Sequence, residues 1–292
     1  MTLSLTRRQA STFLAAGGMA MMTGRGAASS RQLIRPDASW VVYYSAVANA
    51  ARLSGFNVIV LDPAYSGAIA DCRSHGGRTF GYLSLGEISK RNAWFPFPSD
   101  PAAILEENPD WPGTYRVDVR QESWRTAILN DGVKRLREMG FDGLFMDTLD
   151  TPPYLEAIDP RRCRGMGAAA INLVKSIRRQ WPDMPIIMNR GYALLADLVD
   201  DIDAVVAESL LTSYDSAKGG YRWLEPDRVA EQMKALSPAN RRSPQLPILS
   251  LDYWNPDDPE TIREIYRRER GLGHSPYVGT INLEQIVDAP LT

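Results

Sequence analysis

Cysteine and histidine are scarce in this sequence, with two of each among 292 residues. Two cysteines, Cys72 and Cys163, are too few for a fold that disulfides hold together. A single bridge would require an oxidising compartment. It is the less favoured expectation, because Cys72 falls in a predicted helix and Cys163 in a predicted loop. With only His75 and His274, the sequence argues against a histidine-rich zinc site.

The sequence also has no excess of positive charge, since it contains 33 lysines and arginines and 35 acidic residues. A protein that binds nucleic acid needs a basic face to neutralise phosphates, so we expect no nucleic-acid partner. Removing residues 1–28 takes away Arg7, Arg8 and Arg25 and no acid, which leaves 30 basic against 35 acidic residues, a net charge of −5. This charge is compatible with a neutral or cationic polymer as substrate.

The amino terminus carries an apolar stretch at residues 13–22 that is too short to span a membrane. Arg7 and Arg8 precede it, small residues follow at 26–29, and no acid occurs before Asp37. This order is typical of an export signal, and adjacent arginines indicate the twin-arginine route. We predict a signal over residues 1–28 and an exported protein, periplasmic or extracellular, with no membrane anchor. The alternative is a disordered or helical arm.

Short runs rich in Val, Ile and Leu alternate with stretches of helical period after this segment. The predicted strands are 40–44, 57–62, 79–85, 143–148, 185–189, 204–208, 247–253 and 275–280. The predicted helices are 46–53, 66–74, 123–139, 166–180, 193–200, 226–236 and 259–270. Continuous apolar strands indicate a parallel sheet that is buried on both faces.

Eight such strands predict a single-domain α/β fold, the (β/α)8 or TIM barrel, over residues 37–288. The alternative is an open doubly wound sheet. A dinucleotide-binding version has no support, because no Gly-x-Gly-x-x-Gly follows a predicted strand. We expect a monomer.

Acidic residues follow several of the predicted strands directly. They are Asp62, Glu87, Asp147, Asp150, Glu208 and Asp252. A buried strand gains nothing in packing from a carboxylate at its end, because a desolvated carboxylate is costly unless it has a partner. The carboxyl ends of parallel barrel strands meet at one rim, where barrel enzymes carry their active sites. The sequence therefore predicts a cluster of carboxylates at this rim.

Asp147 and Glu208 are the candidate catalytic pair. They end the fourth and sixth predicted strands, which contribute side chains to the same layers of a barrel. Two carboxyl groups are what glycoside cleavage requires, about 5–5.5 Å apart for retention of configuration and about 6.5–9.5 Å for inversion. We predict retention, with Asp147 as nucleophile and Glu208 as acid/base. The charge of Asp147 should raise the pKa of Glu208.

Other polar and aromatic residues near the rim are candidates for substrate binding. Two long connections, residues 87–121 and 209–225, hold several aromatic side chains that could stack on sugar rings or cover the barrel mouth. The substrate-binding candidates are Tyr44, Asp62, Glu87, Asp150, Asn189, Tyr214, Asp252 and Trp254.

Several motifs resemble those of glycoside hydrolase family 114, the endo-α-1,4-polygalactosaminidases, and the hydrolase domain of the Pel exopolysaccharide machinery. They are Leu61-Asp-Pro63, Tyr82-Leu-Ser-Leu-Gly-Glu87, Tyr115-Arg-Val-Asp-Val-Arg120, Gly140-Phe-Asp-Gly-Leu-Phe-Met-Asp147-Thr148, Met188-Asn-Arg-Gly191 and Ala207-Glu-Ser209. The resemblance implies a barrel that cuts α-1,4-linked galactosamine or N-acetylgalactosamine polysaccharide without a cofactor or metal. It places the family's catalytic Asp and Glu on Asp147 and Glu208. The chain departs from the family at residues 150–154, where an aromatic-rich continuation is commoner.

Two other functions are compatible with the residues alone. One is a catalytically silent barrel that binds an exported polysaccharide. The other is a metal-dependent hydrolase that uses Asp62, Asp147, Asp150 and Asp252 as oxygen ligands for a hard cation.

Overall fold

The computed structural model describes residues 34–92 and 94–290. Its centre is a sheet of eight parallel strands in chain order, which confirms the predicted barrel. The strands are β1 (Trp40–Tyr43), β2 (Val58–Leu61), β3 (Arg78–Ser84), β4 (Gly143–Asp147), β5 (Ile186–Asn189), β6 (Ala204–Glu208), β7 (Ile248–Tyr253) and β8 (Ser275–Gly279). The predicted export signal, residues 1–28, lies outside the described residues.

Neighbouring strands pair in parallel register from β1 to β8. The first and last strands approach each other, and the Trp40 indole Nε1 donates to the Ser275 carbonyl at 2.8 Å. Beyond their ends, the Tyr44 amide donates to the Leu283 carbonyl, also at 2.8 Å. All residues of β1, β2 and β5 are buried, as expected for strands covered on both faces.

Helices cover the outside of the sheet. Their bounds are Ala50–Leu53, Glu122–Ala127, Lys134–Glu138, Thr151–Ile158, Met166–Gln180, Tyr192–Leu198, Pro226–Ala235, Ser237–Arg241 and Pro259–Gly271. The helix Met166–Gln180 buries Met166, Ala170, Leu173 and Ile177, whose spacing of three and four places them on one face. No described helix is long and apolar enough to cross a membrane.

Three helical regions differ from the sequence prediction. Residues 66–74 form only a 3-10 turn, Ile69–Arg73. The predicted helix 123–139 contains a wider π turn at Ile128–Val133. The helix Thr151–Ile158 is not among the predicted helices. Prolines are tolerated in the first helical turn, where the missing N–H has no partner to lose.

The two long connections carry small sheets of their own. Residues after β3 form antiparallel strands at Glu87–Ser89, Ile104–Glu107 and Thr114–Val117. Residues after β6 form a hairpin of Thr212–Asp215 and Gly220–Trp223. Both cysteines are buried and free, so the less favoured bridge is not formed.

Candidate active site

The carboxyl ends of the barrel strands open into a cavity of about 620 Å³. Its wall is acidic, since five of the described residues that line it carry carboxylates and none is a lysine or arginine. The five are Asp62, Glu87, Asp147, Asp150 and Glu208. The structure thus brings five of the six predicted strand-end acids together.

Asp147, the last residue of β4, accepts a hydrogen bond on each carboxylate oxygen. The Tyr82 hydroxyl donates to Oδ2 at 2.8 Å, and the Asn189 amide nitrogen donates to Oδ1 at 2.9 Å. Hydrogen bonds that donate to a carboxylate stabilise its charged form. The two donors hold the Asp147 carboxylate in one orientation.

Glu208, the last residue of β6, also accepts two short hydrogen bonds. The Tyr253 hydroxyl donates to Oε1 at 2.5 Å, and the same Asn189 nitrogen donates to Oε2 at 2.6 Å. Burial and then the nearby charge of Asp147 raise the pKa of Glu208, and the two hydrogen bonds oppose that rise. A raised pKa is what a carboxylic acid needs to donate a proton near neutral pH.

The shared Asn189 nitrogen limits the distance between the two carboxylates. Because it lies 2.9 Å from Asp147 Oδ1 and 2.6 Å from Glu208 Oε2, these oxygens are no farther apart than the sum, 5.5 Å. Retaining glycosidases hold their two carboxyl groups about 5–5.5 Å apart, whereas inverting enzymes leave about 6.5–9.5 Å for a water. The bound on the two bonded oxygens is compatible with the closer spacing.

Three tyrosines surround the carboxylates, of which Tyr253 is buried and Tyr44 and Tyr82 are partly buried. Burial and then the charge of Asp147 raise the pKa of Tyr44 and Tyr82 well above 10. Burial and then the charge of Glu208 do the same for Tyr253. The three hydroxyls therefore stay protonated, and those of Tyr82 and Tyr253 act as permanent donors. Tyr44 packs edge-on against Tyr82, with ring centroids 5.2 Å apart.

Sequence reasoning missed Tyr82 and Tyr253. The signal that could have found them is the two-residue alternation of a strand, since Tyr82 and Ser84 share one face of β3, and Leu251 and Tyr253 one face of β7. All four line the cavity.

Each of three functional residues is followed at once by a residue in the left-handed backbone region. Thr148 after Asp147 has φ 61°, Arg190 after Asn189 has φ 51°, and Ser209 after Glu208 has φ 52°. L-residues other than glycine rarely adopt this conformation, and it persists where the surroundings over-determine it.

Hydrogen bonds to neighbouring strands hold these turns. The Arg190 amide donates to the Val206 carbonyl at 3.1 Å, and the Ser209 amide donates to the Leu251 carbonyl at 2.8 Å. The Gly86 amide donates to the Thr148 hydroxyl at 2.8 Å. The sharp turns end the strands and leave the functional side chains facing the cavity. No pattern of residue types predicted these turns.

Glu87 and Asp150 line the cavity but are largely committed to protein contacts. Glu87 is buried and accepts from the Asn108 side-chain amide at 3.0 and 3.1 Å and from the Thr151 hydroxyl at 2.8 Å. Asp150 accepts from Arg190 Nε at 2.8 Å and from the Gly191 amide at 3.1 Å. These bonds give both acids a structural part in the cavity wall.

Asp62 is less committed than these two acids. Its Oδ1 accepts from the Ala64 amide at 2.7 Å, and burial raises its pKa despite that bond. Among the predicted binding residues, Tyr44, Asp62 and Asn189 thus line the same cavity as the candidate pair Asp147 and Glu208.

Asp252 does not face the cavity, contrary to expectation. It precedes Tyr253 on β7, so the alternation of the strand turns its side chain outward. It is fully buried, and its Oδ1 accepts from the Leu211 and Thr212 amides at 2.9 and 2.7 Å. Its carboxylate holds the chain that follows Glu208 rather than offering a ligand to substrate.

Tyr214 and Trp254 are also absent from the cavity wall among the described residues. Tyr214 packs against Tyr221 across the hairpin, with ring centroids 5.2 Å apart. Trp254 packs against Tyr221 and Trp223 and donates its indole N–H to Asp258 at 3.0 Å. These aromatics form a small cluster beside the barrel mouth, the alternative that the sequence left open for the loops.

The chain matches the profile of the glycoside-hydrolase family GH114 over residues 23–291. It belongs to glycoside hydrolase family 114. Its structure is similar to the glycoside hydrolase domain of PelA from Pseudomonas aeruginosa, with a TM-score of 0.77 at 27% identity over 86% of this chain and 98% of that one. As a member of this family it is a glycoside hydrolase, which disfavours a silent binding barrel.

Two further relatives of this family member extend the comparison. Aspergillus fumigatus Ega3, whose structure is a complex with galactosamine, has a TM-score of 0.65 at 15% identity over 90% of this chain and 98% of that one. At this identity the likeness concerns the fold. An uncharacterised protein from Deinococcus radiodurans is 26% identical over 251 residues, which are 82% of this chain and 78% of that one.

The metal-dependent alternative for this glycoside hydrolase required four aspartates around one cation. Asp62, Asp147 and Asp150 line the cavity, but Asp252 lies behind the strand in the protein interior. Within residues 34–92 and 94–290, no three His, Cys, Asp or Glu side chains are grouped as a metal site would need. The expected set of ligands is therefore not assembled.

Proposed function

We propose that this glycoside hydrolase cleaves α-1,4-linked galactosamine or N-acetylgalactosamine polysaccharide with retention of configuration. The observation that carries the mechanism is the single Asn189 nitrogen that bonds to both Asp147 and Glu208. It supports a spacing of no more than 5.5 Å between the bonded oxygens, the sum of the two bond distances. That spacing suits a double displacement, because no water fits between the sugar and the nucleophile.

Asp147 is the nucleophile in this proposal. Its ionised carboxylate attacks the anomeric carbon while the bond to the leaving oxygen breaks, and Glu208 gives its proton to that oxygen. The product of this step is a β-glycosyl ester on Asp147. Glu208, now a carboxylate, then takes a proton from water, whose oxygen displaces Asp147 and restores the α configuration.

The environments of the two acids support this division of roles. Two donors, Tyr82 and Asn189, bond to Asp147 and stabilise the charge that a nucleophile carries. Burial and the charge of Asp147 raise the pKa of Glu208, as a proton donor requires.

The charge of the cavity supports an amino sugar as substrate. Five acidic side chains line it, of which Asp150 is paired with Arg190, and none of the described lining residues is a lysine or arginine. A cleft of one sign concentrates ligands of the opposite sign. A polymer of galactosamine, the sugar without the N-acetyl group, carries one positive charge per residue. The fungal relative Ega3 was solved with galactosamine.

The proposal places the protein outside the cytoplasm, because a polysaccharide of this kind is met there. The Arg7-Arg8 pair and the apolar stretch at 13–22 support twin-arginine export. Deleting residues 1–28 should leave a folded, active enzyme in vitro and abolish export. An insoluble deletion variant would contradict the signal.

Digestion of a galactosamine polymer tests the function. The protein without residues 1–28 is incubated with de-N-acetylated galactosaminan, the products are sized, and proton NMR follows the anomeric form of the first product. We expect short α-anomeric oligosaccharides and none with Glu208→Gln. A β-anomer as the first product would show that the enzyme inverts the configuration and does not retain it. An intact polymer would refute the substrate class.

A further inference from the structure

Trp111 is the one tryptophan of the seven that is exposed. Its side chain is 60% exposed, whereas Trp40, Trp94, Trp124 and Trp181 are buried. It nevertheless lines the active-site cavity. No ring contact and no hydrogen bond of its indole nitrogen to another described residue stabilises it. Since folding gains little from so exposed a ring, its position calls for another explanation.

The turn that carries Trp111 is rigid before any ligand binds. Pro109 and Pro112 flank the tryptophan and fix two backbone angles. The Trp111 amide donates to the Asn108 carbonyl at 3.1 Å, and the Thr114 amide donates to the Trp111 carbonyl at 3.0 Å. A preformed platform binds a ligand with less loss of conformational entropy.

The turn is also fixed to the wall of the cavity. Asn108, at its start, donates through its side-chain amide to Glu87, which in turn accepts from Thr151 beside the end of β4. The Lys90 amide donates to the Gly113 carbonyl at 3.0 Å. These bonds connect the platform to the catalytic strand instead of leaving it on a free loop.

Polar side chains lie beside the platform. Ser89 pairs with Thr114 across the small sheet, and both line the cavity together with Asn92. The Asn92 Oδ1 already accepts from the Trp94 and Phe95 amides at 3.2 and 3.0 Å. A sugar ring stacks its apolar CH face on an aromatic ring and bonds through its edge hydroxyls to polar side chains. Trp111 provides the open aromatic face. The Asn92 amide group and the hydroxyls of Ser89 and Thr114 provide the polar groups.

We infer that Trp111, with Ser89, Asn92 and Thr114, forms an outer subsite that stacks a sugar ring of the same polysaccharide chain. This inference rests on the proposed function. The subsite is additional to the one at Asp147 and Glu208, and it belongs to the same cavity. It holds long chains and contributes nothing to substrates too short to reach it.

The test compares chain lengths in Trp111→Ala. We expect kcat/KM for de-N-acetylated galactosaminan to fall roughly 3- to 10-fold, the value of one aromatic contact, through a higher KM. The kcat/KM for the shortest oligosaccharide that the wild type cleaves should stay within twofold. Tyr154→Ala is the matched control, since Tyr154 is 49% exposed but absent from the cavity wall, and it should change neither value.

An equal loss on the polymer and on the short substrate in Trp111→Ala would overturn the subsite, as would no loss on either. Failure of the proposed function looks different, because the wild type itself would then cleave no galactosamine polymer. In that case, affinity electrophoresis tests the subsite without turnover, because a protein that binds polysaccharide is retarded in gels that contain chitosan or a neutral galactan. Loss of retardation in Trp111→Ala but not in Tyr154→Ala supports the subsite, and equal or absent retardation of all three proteins refutes it.

Discussion

The buried carboxyl groups of Asp252 and Glu269 are neighbours behind β7, where each shifts the pKa of the other. Both side chains are fully buried. His274 contacts the other side of Glu269, with Nδ1 2.6 Å from Oε2, and burial lowers its pKa to about 4. The histidine is therefore neutral near pH 7 and supplies no compensating positive charge.

This pair predicts that the free energy of unfolding falls as the pH rises toward neutrality. Burial raises the pKa of Glu269 from 4.5 to about 7, so the folded state keeps a proton that the unfolded chain releases. Stability from this group falls as pH rises from 4.5 to about 7. Because the pKa of His274 is lowered, its contribution to stability rises with pH, but only up to pH 6.5, its ordinary pKa. Burial also raises the pKa of Asp252 well above 3.8, which acts in the same sense as Glu269.

Thermal unfolding of wild type and Glu269→Gln between pH 4.5 and about 7 measures the effect. The wild type should lose about 1.4 kcal/mol per pH unit for each such proton. The glutamine donates to Asp252 without a charge, so the variant should show a flatter profile. Parallel profiles for the two proteins would show that the pair does not hold the proton.

Asp252 itself should tolerate asparagine but not alanine. Asparagine keeps an oxygen for the Leu211 and Thr212 amides and gives an N–H to Glu269, whereas alanine leaves these buried groups unpaired. We expect Asp252→Ala to lower the free energy of unfolding by about 2–4 kcal/mol, and Asp252→Asn by less than about 1 kcal/mol. Urea denaturation compares them, and equal losses would contradict the assigned contacts.

The Asp252 case shows where the sequence was sufficient and where it was not. Runs such as Val58–Leu61 and Ala204–Glu208 predicted the barrel, because a parallel strand must be apolar on both faces. The acids after them predicted the rim. β7, however, continues one residue beyond its acid, to Tyr253. Because successive side chains of a strand point to opposite faces, Tyr253 faces the cavity and Asp252 faces away from it.

The remaining features depend on contacts between distant segments. The part of Asn189 as a shared donor follows from two strand ends that meet only in the fold. The role of Glu87 as an anchor follows from the return of residue 108 over it. No local pattern of residue types encodes such pairings.

Tyr253→Phe should move the alkaline limb of the pH–rate profile. Glu208 must be protonated to act as acid, and the hydrogen bond from Tyr253 is among the contacts that lower its pKa. Removing the hydroxyl therefore raises that pKa, and kcat/KM should decline at higher pH than in the wild type. Tyr154→Phe, at a residue that does not line the cavity, provides a control. A limb that moves to lower pH would contradict the contact.

The left-handed turn after Glu208 predicts unequal effects of substitution at Ser209. With φ 52°, this residue should accept glycine at little cost, because glycine has no Cβ to clash with the backbone. A β-branched residue is the least suited to this region, so Ser209→Val should cost about 1–2 kcal/mol. Thermal unfolding should rank glycine above valine, and activity should fall in the valine variant if the turn orients Glu208. The reverse rank would show that the turn is not strained.

Chemical rescue separates the roles of the two carboxylates. In Asp147→Gly, azide enters the space of the missing nucleophile and attacks the anomeric carbon directly, so the glycosyl azide has the inverted, β configuration. In Glu208→Ala, Asp147 still forms the glycosyl ester from a substrate with a good leaving group. Azide then displaces that ester and gives the retained, α product.

Proton NMR of the two azides reads the configuration, and Asn189→Ala is a suitable comparison. It disturbs both carboxylates but removes neither, so azide should not restore its activity. Opposite configurations would exchange the roles of Asp147 and Glu208. Full activity of Asp147→Asn without azide would falsify the site, because an amide of the same shape cannot form the ester.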